Sequence, residues 1–242
     1  MSYDFGEYDE VTENLKSFLQ RNGFSDLDRL LNLVPVHESK ILIVDGVEYE
    51  RLNVRKIPHR EINADAIFTK LPNVPVACKP ADCAVVVFSF RSTLSKFPAS
   101  VKATVEEWIG VVHVGIQDFS MDLLGDVKIF LNENFREIID MKVCVSPFLK
   151  KYQIKHKSSK MYSKYIKLLE DLIQKCDSGE CIDLHSSISK QIKILWENAN
   201  IDFSGTDTWE SAEKGKSFSH SYSYFHSEVK NGRFIVCGEI AG

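Results

Sequence analysis

The sequence lacks the features that mark several broad classes of protein. No apolar run approaches the ~20 residues of a membrane-spanning helix, since the longest are residues 83–88 and 108–116. Neither sign of charge dominates: 30 Lys+Arg stand against 34 Asp+Glu, which argues against a general nucleic-acid-binding protein and against an acidic disordered tail. The N-terminal segment has neither a basic start nor an apolar stretch. We therefore expect a cytoplasmic globular protein with no membrane and no nucleic acid among its partners.

Repeats and low-complexity linkers are also missing. Nothing in the composition divides the chain, so residues 1–242 are predicted to form a single domain. The six cysteines, in a chain without a secretory signal, predict reduced thiols rather than a disulfide framework. Cys176 and Cys181 are accordingly interpreted as ordinary loop residues.

Apolar periodicity predicts helices that alternate with strands. The predicted helices cover residues 8–22, 121–135 with Ser120 as N-cap, 161–175, and a segment that starts after Asp183. The apolar, β-branched runs 84–90 and 109–114 predict strands buried on both faces. Asp45-Gly46 and Asn231-Gly232 predict two hairpins, the first joining 40–44 to 47–52 and the second joining 217–230 to 233–240. The fold class predicted from this alternation is α/β with a mixed sheet.

Three side chains stand out as candidate metal ligands. Cys83 follows Asp82 at the start of an apolar strand, His113 lies inside a buried run, and His37 comes just before another strand. Two imidazoles and one thiolate suit a zinc ion that keeps one coordination position open. Each residue taken alone is also typical of ordinary core packing, and Cys83 with His113 could instead form a nucleophile and its base.

Several segments carry a resemblance to a known family. They are Val36-His37, residues 64–69, residues 81–86, residues 111–115, residues 143–147, Asp183-Leu184 and Gly232-Arg233. In these segments the chain resembles the laccase-domain (YfiH-type) proteins, which are described both as polyphenol oxidases and as purine nucleoside phosphorylases. Residues 64–87 are the most specific part of the match. The resemblance implies a layered α/β/β/α sandwich with mixed β-sheets.

The resemblance also implies a chemistry. It places a metal on His37, Cys83 and His113, with zinc as the cofactor and copper in some members. The implied substrates are a purine nucleoside and phosphate, and the implied activity is phosphorolysis, accompanied by deamination of adenosine. The residues implied are Cys83, His113 and Asp82 for catalysis, and Gln117, Asp65 and Arg233 for substrate binding. From its place before a strand, Asp65 is equally typical of a carboxylate that caps a turn.

The chain departs from the family where the phosphate would bind. The signature His-Ala-Gly-Trp-Arg-Gly continues after His113 and Gly115 with Ile116 and Gln117, so its Trp and Arg are replaced. Gln117 offers neither the charge nor the forked donors with which arginine binds phosphate. Metal chemistry that uses water is less affected by this loss. The lysines of residues 150–160 are a further candidate for the missing charge.

Two other functions remain open. A divergent member without catalytic activity could keep the fold and bind a nucleoside or a partner protein. Copper-dependent phenol oxidation is the third candidate, although one three-ligand site lacks the additional histidines that multicopper oxygen reduction requires.

Overall fold

The computed structural model of the protein describes most of the chain between residues 27 and 203. The described residues are 17, 20–21, 23–24, 27–52, 60–80, 82–92, 104–146, 148–153, 169–176, 179–203, 208 and 236–240. None of the helices among them is both long and apolar enough to span a membrane.

Thirteen strands and four α-helices are assigned within these residues. The strands are β1 (Leu31–Val34), β2 (Ile41–Val44), β3 (Arg60–Asn63), β4 (Ala66–Thr69), β5 (Val76–Cys78), β6 (Ala84–Ser92), β7 (Glu106–Val114), β8 (Ile139–Val145), β9 (Lys151–Gln153), β10 (Ile173–Cys176), β11 (Gly179–Asp183), β12 (Asn200–Phe203) and β13 (Val236–Gly238). The helices are α1 (Gly46–Arg51), α2 (Ile116–Ser120), α3 (Leu123–Asn134) and α4 (Leu184–Leu195).

The strands form three sheets. A six-stranded sheet has the order β12-β8-β6-β7-β4-β2, a four-stranded sheet has the order β13-β5-β1-β3, and β10-β11-β9 form a third. The six-stranded sheet is mixed, because β2 and β12 each join it in parallel while its central pairs are antiparallel. The four-stranded sheet is also mixed, because β13 pairs antiparallel with β5 while its other pairs are parallel. The mixed α/β class predicted from the sequence is confirmed.

The long strand β6 shows how the layers are built. Alternate side chains, among them Val86, Phe88 and Phe90, join a core that also contains the buried faces of α3 and α4. Val85, on the opposite face, joins a second core with residues of the four-stranded sheet such as Leu33. A strand that is covered by other layers on both faces must be apolar on both, and β6 meets this requirement. The order of layers is therefore helices, six-stranded sheet, four-stranded sheet.

Two of the predicted strands and two of the predicted helices match closely. The runs 84–90 and 109–114 lie within β6 and β7, which pair along their whole length. Asp183 caps α4, its side chain accepting a hydrogen bond from the backbone N–H of Ser186. The helix predicted at 121–135 is α3, although Asp122 rather than Ser120 is its N-cap.

Three expectations were wrong. Asp45-Gly46 does not turn a hairpin, because the Asp45 side chain accepts a hydrogen bond from Glu48 N and caps α1. The helix expected at 161–175 is wrong over its described part, where residues 170–172 form a 3-10 turn and β10 follows and pairs with β11; residues 161–168 lie outside the described residues. Cys181 is disulfide-bonded and lies in β11, and Cys176 lies in β10, so neither is the ordinary loop residue expected; Cys78, Cys83 and Cys144 form no disulfide, as expected. Most of the helix predicted at 8–22 lies outside the described residues, as does the hairpin at Asn231-Gly232 except for residues 236–240, where β13 pairs with β5.

Candidate metal centre

Strand pairing brings the candidate residues to one end of the six-stranded sheet. His113 lies near the end of β7, opposite Val85 of β6, so Cys83, which directly precedes β6, comes close to it across the pair. On the other side of β7, β4 pairs with it, and β2 pairs with β4. The loop that leads into β2 carries His37. Residues far apart in the sequence therefore converge because their strands are adjacent.

Asp65 fixes the loop that carries His37. Its carboxylate, which is fully buried, accepts hydrogen bonds from four backbone N–H groups, those of Val36 (2.9 Å), His37 (2.6 Å), Glu38 (2.9 Å) and Lys40 (3.0 Å). His37 itself has a φ of 59°, in the left-handed region that non-glycine residues seldom adopt. The geometry gives Asp65 the capping role that its place before a strand also predicted.

Asp118 joins the two histidines. His37 Nδ1 lies 2.8 Å from Asp118 Oδ1, and His113 Nδ1 lies 2.8 Å from Asp118 Oδ2, which also accepts from Gly115 N at 2.9 Å. The imidazole rings meet edge to face with their centroids 5.4 Å apart. The Asp118 side chain has no exposed surface, the His113 side chain is 6% exposed and the His37 side chain is 36% exposed. One side of the cluster is thus buried, and His37 lies at its open side.

Cys83 lies on the same cluster. It is half-buried and is hydrogen-bonded to His113. Gly115 shows how closely the groups surround one point: a Cβ added there would lie 3.0 Å from Cys83 Sγ, 3.2 Å from Asp118 Oδ2 and 3.3 Å from His113 Cε1. The structure therefore brings together Cys83 and His113 directly, and His37 through Asp118.

The donor set fits a zinc ion. One ligand atom each of His37, His113 and Asp118 lies within 4.8 Å of the others, the only such group found among the described residues. Because Asp118 occupies Nδ1 of both imidazoles, each ring keeps Nε2 as its ligating atom. Cys83 is not a member of this group, but it is hydrogen-bonded to His113. A carboxylate on the far nitrogen of a ligating histidine is a common companion of zinc.

The pKa values of the cluster reflect these contacts. Burial, the largest effect, lowers the pKa of His113, but hydrogen bonds and charges of Asp118 and Cys83 together raise it to about 10. Burial raises the pKa of Asp118, while both histidines lower it to about 2. The hydrogen bond to Asp118 raises the pKa of His37. Without a metal, the cluster is an ion pair of imidazolium and carboxylate.

This ion pair makes the stability of the metal-free protein depend on pH. Since the folded pKa of His113 is raised from 6.5 to about 10, its contribution is complete below pH 6.5 and is lost as the pH rises towards 10. The contribution of Asp118 is complete above about pH 4 and is lost as the pH falls towards 2. Urea unfolding of chelator-treated protein between pH 6 and 10 should show falling stability, and Asp118→Asn should flatten this dependence. An equal slope in both proteins would contradict the assignment.

The other site residues predicted from the sequence differ in their exposure, and some lie outside the described residues. Asp82 is half-buried, and its Oδ1 accepts a hydrogen bond from Thr208 Oγ1 at 3.0 Å. Gln117 is half-buried in the first turn of α2, next to Asp118. Lys150 is half-buried and Lys151 is exposed. Arg233 and Lys155 lie outside the described residues.

Asp118 is the functional residue that sequence reasoning missed. A signal for it exists: Gly115 and Asp118 stand three residues apart at the start of a helix, the spacing of a capping box, and Asp118 does accept from Gly115 N. That spacing predicts a helix start. It gives no indication that the same carboxylate reaches His37, 81 residues earlier in the chain.

A layered α/β sandwich with two histidines, a thiol and a buried carboxylate at one end of its central sheet defines a candidate metalloprotein. The family model described as multi-copper polyphenol oxidoreductase laccase matches residues 4–238, so the chain belongs to that family. The laccase-domain resemblance of the sequence is thereby confirmed.

Solved structures show the same fold. YlmD from Geobacillus stearothermophilus is 17% identical, with a TM-score of 0.70 over 99% of this chain and 85% of that one. The hypothetical protein YfiH of Bacillus licheniformis is 15% identical, with a TM-score of 0.64 over 98% and 85% of the two chains. The Neisseria meningitidis protein NMB0706 is 15% identical, with a TM-score of 0.63 over 99% and 86%. No curated protein sequence matches the chain significantly.

Proposed function

We propose that the protein is a zinc-dependent enzyme of purine nucleosides that converts adenosine and water to inosine and ammonia, with phosphorolysis as the weaker of its two reactions. The observation that carries the proposal is the double contact of Asp118, which leaves Nε2 of His37 and of His113 as metal-binding atoms beside Cys83. Zinc bound to these residues would supply a Lewis acid and a water whose pKa is lowered to about 7.

The residues of the chain have separate roles in this proposal. His37, Cys83 and His113 hold the ion, with Cys83 as a thiolate. Asp82, adjacent to Cys83, orients the nucleoside, and Thr208 fixes the position of its carboxylate. His37 is more exposed than His113 and Asp118, so the substrate approaches from its side.

The charge of the site favours water over phosphate as the second substrate. Asp118 is ionised and buried, and a ligating Cys83 adds a second negative charge. The position that carries arginine in the family signature is the neutral Gln117. The two positive charges of a bound zinc ion would only balance these two negative groups, so a phosphate dianion would meet no excess positive charge and no forked cation, whereas deamination needs no such anion.

Two alternatives are weaker. A catalytically silent member that binds a nucleoside or a partner protein is favoured by the replacement of the signature Trp and Arg by Ile116 and Gln117. Copper-dependent phenol oxidation corresponds to the description of the family model. Against it, the described residues offer one group of potential ligands, whereas multicopper oxidation needs several metal sites.

The proposal is tested by incubating zinc-loaded protein with adenosine or inosine, with and without phosphate, and identifying the products by chromatography. We expect inosine from adenosine in both buffers, and a rate at least about 100-fold lower in Cys83→Ser because a zinc ligand is lost. Cys144→Ser is the matched control, since Cys144 is a free, exposed thiol and should leave the rate unchanged.

Each other outcome identifies a different function. Ribose 1-phosphate and free base as the main products would show that phosphorolysis survives the loss of the arginine. No product from protein of confirmed zinc content would favour the silent member. Oxidation of a phenol by the copper-loaded protein would favour the third candidate.

A further inference from the structure

Asp118 occupies a position from which it controls both histidines at once. Its Oδ1 accepts a hydrogen bond from His37 Nδ1 and its Oδ2 accepts one from His113 Nδ1, each with a donor–acceptor distance of 2.8 Å. Oδ2 also accepts a hydrogen bond from Gly115 N. We propose that Asp118 is a positioning residue of the metal centre, which holds His37 and His113 in the tautomer that directs Nε2 of both rings to the ion. This inference rests on the zinc site of the proposed function, but not on its activity.

The tautomer follows from the chemistry of the contact. An ionised carboxylate can only accept hydrogen bonds, so each Nδ1 that faces Asp118 must carry a proton. A neutral imidazole has one such proton, and its Nε2 therefore keeps a lone pair for the metal. Because one carboxylate serves both rings, it also fixes their relative orientation, with an interplanar angle of 65°.

The burial of the carboxylate makes this restraint strong. Asp118 has no exposed surface, so water does not compete for its oxygens. Its backbone lies in α2, and the bond from Gly115 N ties the side chain to the start of that helix. His113 lies on β7, directly before the same helix, whereas His37 comes from a distant loop. Asp118 is thus the link that places the distant ligand relative to the local one.

Asp118 could alternatively be a ligand itself, since its oxygens lie within 4.8 Å of the histidine donor atoms. Both oxygens, however, already accept an imidazole N–H at hydrogen-bond distance. To bind a metal they would have to give up these bonds, and both rings would have to turn. Cys83, hydrogen-bonded to His113, supplies the third ligand without such a change.

The substitution Asp118→Asn separates these roles. An amide keeps the shape of the carboxylate, but its one oxygen can accept from only one imidazole, while its NH₂ group donates to the other. The second imidazole must then accept at Nδ1 and carry its proton on Nε2, where it cannot bind the ion. We expect zinc affinity to fall about 10- to 100-fold, the usual effect of losing such a partner.

Zinc affinity is measured by competition with a chromophoric chelator in the wild type, Asp118→Asn and the control Asp126→Asn. Asp126 is a half-buried carboxylate at the start of α3 that contacts neither histidine, so its variant should keep the wild-type affinity. Unchanged affinity in Asp118→Asn, or an equal loss in Asp126→Asn, would overturn the proposal.

Two spectroscopic readouts on the wild type keep the test independent of how well the variants fold. In ¹⁵N NMR of the zinc-loaded protein, both histidines should show a protonated Nδ1; a protonated Nε2 on either ring would overturn the proposal. The cobalt-loaded protein should show a thiolate-to-metal charge-transfer band that Cys83→Ser removes. If the wild type showed no such band, Cys83 would not bind the metal, and Asp118 would be the third ligand in its place. This result would overturn the proposal. Failure of adenosine deamination alone would leave all these results intact and would count only against the proposed function.

Discussion

Replacing Asp65 with asparagine is expected to lower the free energy of unfolding by roughly 3–5 kcal/mol, because four backbone N–H groups depend on this one carboxylate. The groups belong to Val36, His37, Glu38 and Lys40, and the carboxylate itself is fully buried. Asparagine has a single acceptor oxygen, and its NH₂ group would face N–H donors. Urea unfolding of wild type and variant at pH 7 measures the difference.

Asp45→Asn is the matched control for this prediction. Asp45 also accepts a hydrogen bond from a backbone N–H, that of Glu48 at 2.8 Å, but it is exposed. Asparagine is as good an N-cap as aspartate, so the control should change stability by well under about 1 kcal/mol. Similar losses in the two variants would show that the loop is held by other contacts.

Asp65→Asn should also weaken zinc binding at the candidate metal centre. The Asp65 carboxylate holds the backbone of His37, whose φ of 59° is unfavourable without such support. If the loop relaxes, His37 moves away from Asp118. Zinc affinity is therefore expected to fall in Asp65→Asn under conditions where the protein remains folded, and an unchanged affinity would contradict this link.

Local sequence patterns predicted those elements whose partners are nearby or whose burial is complete. The runs 84–90 and 109–114 are apolar on both faces and lie in the centre of the sandwich as β6 and β7. Asp183 precedes an apolar periodicity of 3.6 and caps α4 through Ser186 N. In these cases propensity, burial and capping all favour the same structure.

Asp45-Gly46 shows why a short motif can mislead. Asp before Gly suits a tight turn between strands, but aspartate is equally a strong N-cap. The helical alternative is stabilised by Tyr49, which is buried in α1. Tyr49 is hydrogen-bonded to Arg60 and to the carbonyl of Arg29. These partners come from other parts of the chain. A window of a few residues does not contain that information.

The metal centre illustrates the same limit. Residue types identified His37, Cys83 and His113 as candidates, and strand order brings Cys83 next to His113. The connection to His37 depends on Asp118 and on the loop held by Asp65, two buried carboxylates whose partners come from separate segments. A carboxylate in a sequence is typical of a solvent-exposed surface. Only the three-dimensional structure shows that these two are buried and shared.

Gln117→Arg is expected to raise the rate of phosphate-dependent cleavage of inosine by up to about 100-fold, since a charged phosphate anchor contributes a few kcal/mol. Gln117 stands at the arginine of the family signature and is half-buried in the first turn of α2. An arginine there would add a positive charge beside the ionised Asp118 and a fork of donors matched to phosphate oxygens. Ribose 1-phosphate formed at varied phosphate concentration measures the effect.

Gln117→Lys and Gln117→Leu separate charge from geometry. Lysine supplies the charge without the planar fork, so it should recover only part of the rate, and leucine should recover none. Deamination of adenosine without phosphate should change little in the leucine variant, because Gln117 contacts none of the proposed ligands among the described hydrogen bonds. If arginine and leucine gave equal phosphorolysis, the phosphate would bind elsewhere, and the neutral residue at position 117 would no longer explain a preference for water.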